Sequence, residues 1–128
     1  MYELLRRLDK ASDPLVRQKA AQLYAHTQVA RYTTQRAMAK LAAGQLPGPE
    51  LSIAKLALTN NLMKVADLVG SALGPRMMAD TGEWGTYAWS NLLLGIPGLR
   101  VAGGTDEVMK NIIGERVLGL PKDPKPTK

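Results

Sequence analysis

From Val16 to Leu41 the small or apolar residues Val16, Ala20, Leu23, Thr27, Ala30, Thr34, Ala37 and Leu41 fall at alternating steps of four and three. That spacing draws one seam along a helix and suits packing against a second helix. Asp13 and Pro14 mark the start: an acid that can cap, then proline at the first helical position. Gly44 and the run Pro47-Gly48-Pro49 mark the stop. The predicted helix holds roughly 30 residues, about 45 Å at the α-helical rise. The Ala and Thr of its seam allow a close neighbour, and its charged residues, Arg17, Lys19, Arg31, Arg36 and Lys40, are all basic.

A second stripe follows Pro49 at Leu51, Ala54, Leu58, Leu62, Val65, Val69 and Leu73, and Gly74-Pro75 closes it. The link from Gln45 to Pro49 is short, so the two long helices must pack antiparallel. Arg76 to Gly82 reads as a loop. Glu83 to Leu94 reads as a shorter helix carrying Trp84, Tyr87 and Trp89, with Gly85 inside it and Gly95, Pro97 and Gly98 breaking it. In the last helix Thr105 caps, Asp106 and Glu107 complement the dipole, and Val108, Met109, Ile112, Ile113, Val117 and Leu118 form the apolar face. Leu4, Leu5 and Leu8 suit a helical turn or two, like the end of an earlier helix. No period-two pattern persists. The expected fold is all-α: an up-and-down bundle of about four helices, two long and two shorter, over residues 1–121. The alternating Lys and Pro of 122–128 predict a disordered basic tail.

Composition narrows this reading. A chain of 128 residues is one domain's worth and can bury a core without metals or disulfides. It has no cysteine, so neither a disulfide framework nor a thiolate metal site is possible, which fits a cytoplasmic protein. No apolar run approaches about 20 residues, and the N-terminus lacks a signal-peptide core, so no membrane span or leader is expected. The net charge of +6 describes either a basic solvated surface or an attraction for an anionic ligand.

The densest motif is Val101-Ala-Gly-Gly-Thr-Asp-Glu through Leu118-Gly-Leu-Pro121. Together with Asp13-Pro-Leu-Val-Arg-Gln18, Thr33-Thr-Gln-Arg-Ala37 and Ser52-Ile-Ala-Lys-Leu56, in that order and with matching gaps, it resembles the C-terminal helical domain of the acyl-CoA dehydrogenase family. The resemblance spans nearly the whole chain but only about a third of the family's subunit. It omits the bundle's first helix, the N-terminal helical domain and the middle β-domain. It implies FAD as cofactor and acyl-CoA as substrate. A carboxylate base removes the α-proton while the flavin takes a hydride from the β-carbon.

Residue by residue, the resemblance assigns less than that. Gly103 occupies the position where many members carry the base, so no catalytic residue is expected. Other members place that carboxylate on the first helix. Asp106 and Glu107 are the nearest acids, and capping explains them better than base duty. Thr105 and Glu107 match the family's flavin-contacting Thr-x-Glu/Gln, with Asp106 between them, and Gly104 falls on the substrate side. Ser71-Ala-Leu-Gly74-Pro75 matches a Gln-x-x-Gly-Gly turn, with Ser71 replacing Gln and Pro75 replacing the second Gly. Pro75 has no N–H to give a phosphate, and Gly74 also reads as a plain C-cap. The chain alone is therefore expected to be inactive and to hold FAD weakly or not at all.

Other candidates are weaker. His26 lies off the seam without a second metal ligand and reads as an exposed or edge residue. Trp84, Tyr87 and Trp89 pack in the core or a subunit interface, the commoner use, or line an acyl pocket. Arg6, Arg7 and Lys10 form a basic spot, but no DNA-binding pattern accompanies it, and no nucleic-acid partner is expected. A bundle lacking a helix exposes its apolar stripes. Self-association, or assembly with a dehydrogenase subunit as a non-catalytic module, is the alternative function.

Overall fold

The computed structural model describes residues 1–46, 48–78, 80–84, 86–122 and 124. The expected tail at 122–128 lies mostly outside these residues, as do Pro47 and Gly85. Among the described residues the fold is an all-α bundle of five helices: α1 (Tyr2–Arg7), α2 (Pro14–Ala42), α3 (Leu51–Leu73), α4 (Thr86–Val101) and α5 (Asp106–Ile112). A 3-10 turn, Gly74–Met78, follows α3, and a π turn, Ile113–Val117, continues α5.

The Asp13 carboxylate caps α2, accepting from the backbone N–H of Leu15 at 2.8 Å and of Val16 at 3.2 Å. α2 and α3 run antiparallel. Lys40 at the end of α2 pairs with Glu50 before α3, and Lys19 near the start of α2 meets Asp67 late in α3 at 3.1 Å. Gly74 ends α3 with φ +55 and returns its N–H to the Gly70 carbonyl.

α1 is the helix the sequence underrated. Its Leu4 and Leu5 are almost wholly buried, and each enters a different apolar cluster. Leu5 packs with Val16, Leu23 and Leu68, while Leu4 packs with Val69 and Leu73 and with the edge of Trp89. Six residues thus wedge the first half of α2 onto the last half of α3. Arg7 pairs with Glu3 at 3.0 Å and also lies 4.2 Å above the Trp84 ring, tying α1 to the segment before α4.

Two expectations need correction. The α2 seam is not continuous: Val16, Leu23 and Ala37 are buried, but Thr27, Thr34 and Leu41 are exposed. Thr27 and Thr34 border an apolar trough of about 490 Å³, walled by Thr27, Ala30 and Thr34 on one side and Ala54, Leu58 and Leu62 on the other. The small side chains of α2 do not reach across it. Over this half, α3 also turns the buried Thr59 toward α5. The second correction concerns α4, which runs through Gly95, Pro97 and Gly98 to Val101. Proline removes one helical hydrogen bond there. Ile96, only 2% exposed, holds that turn in the core, and Ala102 N–H still reaches the Gly98 carbonyl at 2.9 Å.

Candidate functional site

The loop Ala102–Thr105 joins the C-terminal end of α4 to the N-terminal end of α5 across the flank of α3. Gly103 and Gly104 take φ values of +67 and +104, a region that disfavours residues with a Cβ. At Gly104 a Cβ would also sit 2.6 Å from Met109 Cε, so the tip of that flexible side chain would have to shift. At Gly103 nothing lies within 4 Å of that position. Gly103 therefore presents an open face and offers no side-chain proton acceptor.

Thr105 caps α5, its hydroxyl accepting from the Val108 N–H at 3.3 Å. Asp106, one residue on, is 3% exposed. Its Oδ2 accepts from Arg100 Nε at 2.7 Å, and its Oδ1 accepts from the Thr59 hydroxyl at 3.2 Å and from Lys55 Nζ at 3.4 Å. The Arg100 hydrogen bond, helped by those from Thr59 and Lys55, holds the Asp106 carboxyl below the ordinary carboxylate range against the opposing effect of burial. Glu107 is exposed, and the backbone N–H at the start of α5 lowers its carboxyl as well. Both acids are therefore weak proton acceptors.

The structure brings Gly103, Gly104, Thr105, Asp106 and Glu107 together at this junction. Thr105, Asp106 and Glu107 line a shallow cleft of about 210 Å³ with Pro97, Arg100 and Val101. It does not bring Ser71 and Gly74 there. They lie at the other end of α3, sixteen residues beyond Lys55 for Ser71, or about 24 Å of helix. Ser71 is engaged locally, donating to the Asp67 carbonyl at 2.8 Å and accepting from Lys19 at 3.2 Å. A roomier hollow is the α2–α3 trough, among whose lining residues Lys55 also stands. His26 is exposed, as are Trp84 and Tyr87, while Trp89 packs on the core. Among the described residues no group of His, Asp or Glu is arranged to hold a metal, and no helix is long and apolar enough to cross a membrane.

Lys55, Thr59 and Arg100 were not singled out from the sequence as site residues. A signal for Lys55 was available. It is the only charged residue between Leu51 and Met63, in a segment that is apolar on most faces. A charge in such a helix requires a partner.

The family model described as acyl-CoA dehydrogenase, C-terminal domain, matches residues 5–118. Two curated proteins called acyl-CoA dehydrogenase IpdE1 are similar over 98% of the chain. The Mycobacterium tuberculosis protein is 32% identical over 132 residues, and the Mycolicibacterium smegmatis protein 32% identical over 126. The chain spans about a third of the length of these curated relatives, 32% and 30% respectively. No solved structure matches it with significance.

Proposed function

Because the chain belongs to the acyl-CoA dehydrogenase family, as its C-terminal domain, we propose that it is the helical bundle of an FAD-dependent enzyme that dehydrogenates an acyl-CoA thioester between its α and β carbons. The observation that carries this reading is the loop at Gly103–Thr105. The stretch with the most specific family resemblance is also a glycine-shaped corner with an open face, set beside a capped helix start.

The bundle supplies part of a site. FAD, when bound, would take up the hydride. Thr105 and Glu107 are the groups that would meet it here, and Gly104 would face the substrate. Asp106 lies between them but already has three side-chain donors, so it would support a contact rather than make one. Ser71 and Gly74 would belong to a separate contact at the far end of α3. A cleft of about 210 Å³ is smaller than the roughly 300 Å³ at which small-ligand pockets begin, so the bundle forms a wall rather than an enclosure. With glycine at position 103 and both nearby acids held as weaker bases, this corner supplies no base for the α-proton, and the reading assigns that role to the remainder of the full subunit.

The test is the visible spectrum of the purified chain, with intact mass alongside. The chain alone is expected to be colourless and inactive. Flavin absorbance is expected when it is co-expressed with the remaining two thirds of an acyl-CoA dehydrogenase relative. A yellow chain by itself would overturn the inactive-alone reading, and failure of the complemented pair to hold flavin would overturn the bundle assignment. The open α2–α3 trough favours one second reading, a non-catalytic module that assembles with itself or with a dehydrogenase subunit.

A further inference from the structure

Lys55 does something a surface lysine does not. Its ammonium has three protons, and each faces an acceptor: the Arg100 carbonyl at 3.0 Å, the Gly104 carbonyl at 2.7 Å and Asp106 Oδ1 at 3.4 Å. The first two acceptors bracket the loop. Arg100 belongs to the last turn of α4, where carbonyls lack helical partners, and Gly104 is the last residue before the cap of α5. The ammonium therefore sits where the negative end of the α4 dipole lies, and Asp106 sits at the positive end of α5. One cation from α3 ties both ends of the corner to one point, and the buried carboxylate balances its charge.

We propose that Lys55 is the positioning residue of the Ala102–Thr105 loop: it fixes the conformation that turns Gly103 outward and places Gly104, Thr105 and Glu107. Its functional weight rests on the dehydrogenase reading above, because these are the positions that reading assigns to substrate and flavin. Neighbouring side chains do not substitute for it. At the corner Arg100 and Thr59 meet the carboxylate but neither loop carbonyl, the Thr59 hydroxyl lying also beside the Leu56 carbonyl of its own helix, and no other side chain donates to the Gly104 carbonyl among the described residues. Arginine at position 55 would not restore the contacts, because a planar guanidinium cannot direct three protons from one nitrogen.

The test uses the 128-residue chain and hydrogen exchange followed by NMR. Lys55→Met is expected to speed exchange at least tenfold at the amides of Ala102, Val108 and Met109, each of whose hydrogen bonds has its donor or its acceptor in the corner. The Gly103 and Gly104 resonances should broaden or divide. The amides of Leu68 and Val69 in the core should exchange within twofold of the native rate. Because the chain has no cysteine, Lys55→Cys places one thiol in it. Aminoethylation of that thiol in the unfolded chain rebuilds an ammonium at nearly the original length, and slow exchange at the corner should return on refolding. Unaltered corner amides in Lys55→Met would overturn the proposal. So would loosening of Leu68 and Val69 by the same factor, or failure of the rebuilt ammonium to restore protection. None of these measurements involves flavin. A bundle that behaves as expected here but holds no flavin when complemented would leave the clamp standing and remove the dehydrogenase reading.

Discussion

Asp106 carries the clearest consequence of a single ionisation. Its carboxyl is held below the ordinary range in the folded chain, chiefly by Arg100. The unfolded chain, at about 3.9, therefore takes up the proton at a higher pH than the folded one. The stabilisation is fully present above that unfolded value and is lost as pH falls through the folded one. Asp106→Asn should lower the urea midpoint at pH 7, because Lys55 and Arg100 then converge on a neutral amide. The gap between native and variant midpoints should narrow as the pH drops below about 4. A gap that stays constant with pH would mean that the carboxylate is not the group responsible. The sequence placed Asp106 correctly at the first turn of a helix, where it read as a complement to the dipole and, through the family resemblance, as part of the flavin-contacting segment. Its burial depends on Thr59, nearly fifty residues away, and no local pattern announces a partner at that distance.

Among the elements, α1 has an effect out of proportion to its length. Leu4 is 1% exposed and Leu15, on the outer face of α2, is 76% exposed. Leu4→Ala should cost about 2–5 kcal/mol of unfolding free energy, the range for emptying a buried leucine site. Leu15→Ala should change it by no more than about 0.5 kcal/mol. Equilibrium denaturation of the two variants decides this, and equal effects would show that α1 does not hold the core. The long helices were legible because Asp13, Pro14 and Gly74 punctuate strong periodic stripes. α1 was legible only as a helical turn or two at Leu4, Leu5 and Leu8, and three leucines in eight residues establish too little periodicity to show which clusters they enter. The continuation of α4 past Pro97 was hidden for a different reason. Local propensity argued for a break, and the burial of Ile96, a tertiary effect, overrode it.

For the whole molecule, the open question is what covers the α2–α3 trough. Leu58, on its wall, is 57% exposed in a mostly apolar hollow edged by Arg31, Lys55 and Asn61. Sedimentation of the purified chain should show concentration-dependent association, and Leu58→Glu should shift it toward the monomer by at least tenfold in dissociation constant. A strict monomer that also captures no dehydrogenase subunit would remove the assembly reading. The family pattern pointed to an incomplete bundle. It did not show where the gap lies, because the seam Val16 to Leu41 reads as continuous when its small residues are scored only for period.

The two tryptophans sit at one pole of this molecule. Trp84 lies under Arg7 of α1, and Trp89 borders the Leu4 cluster. Arg100 is eleven residues further along α4, about 16 Å of helix. Intrinsic fluorescence will therefore report whether α1 is docked and will be nearly blind to the glycine corner. A preparation with a native emission spectrum and a cooperative melt can still carry that corner in disarray, so quality control of this bundle needs a probe placed at the corner itself.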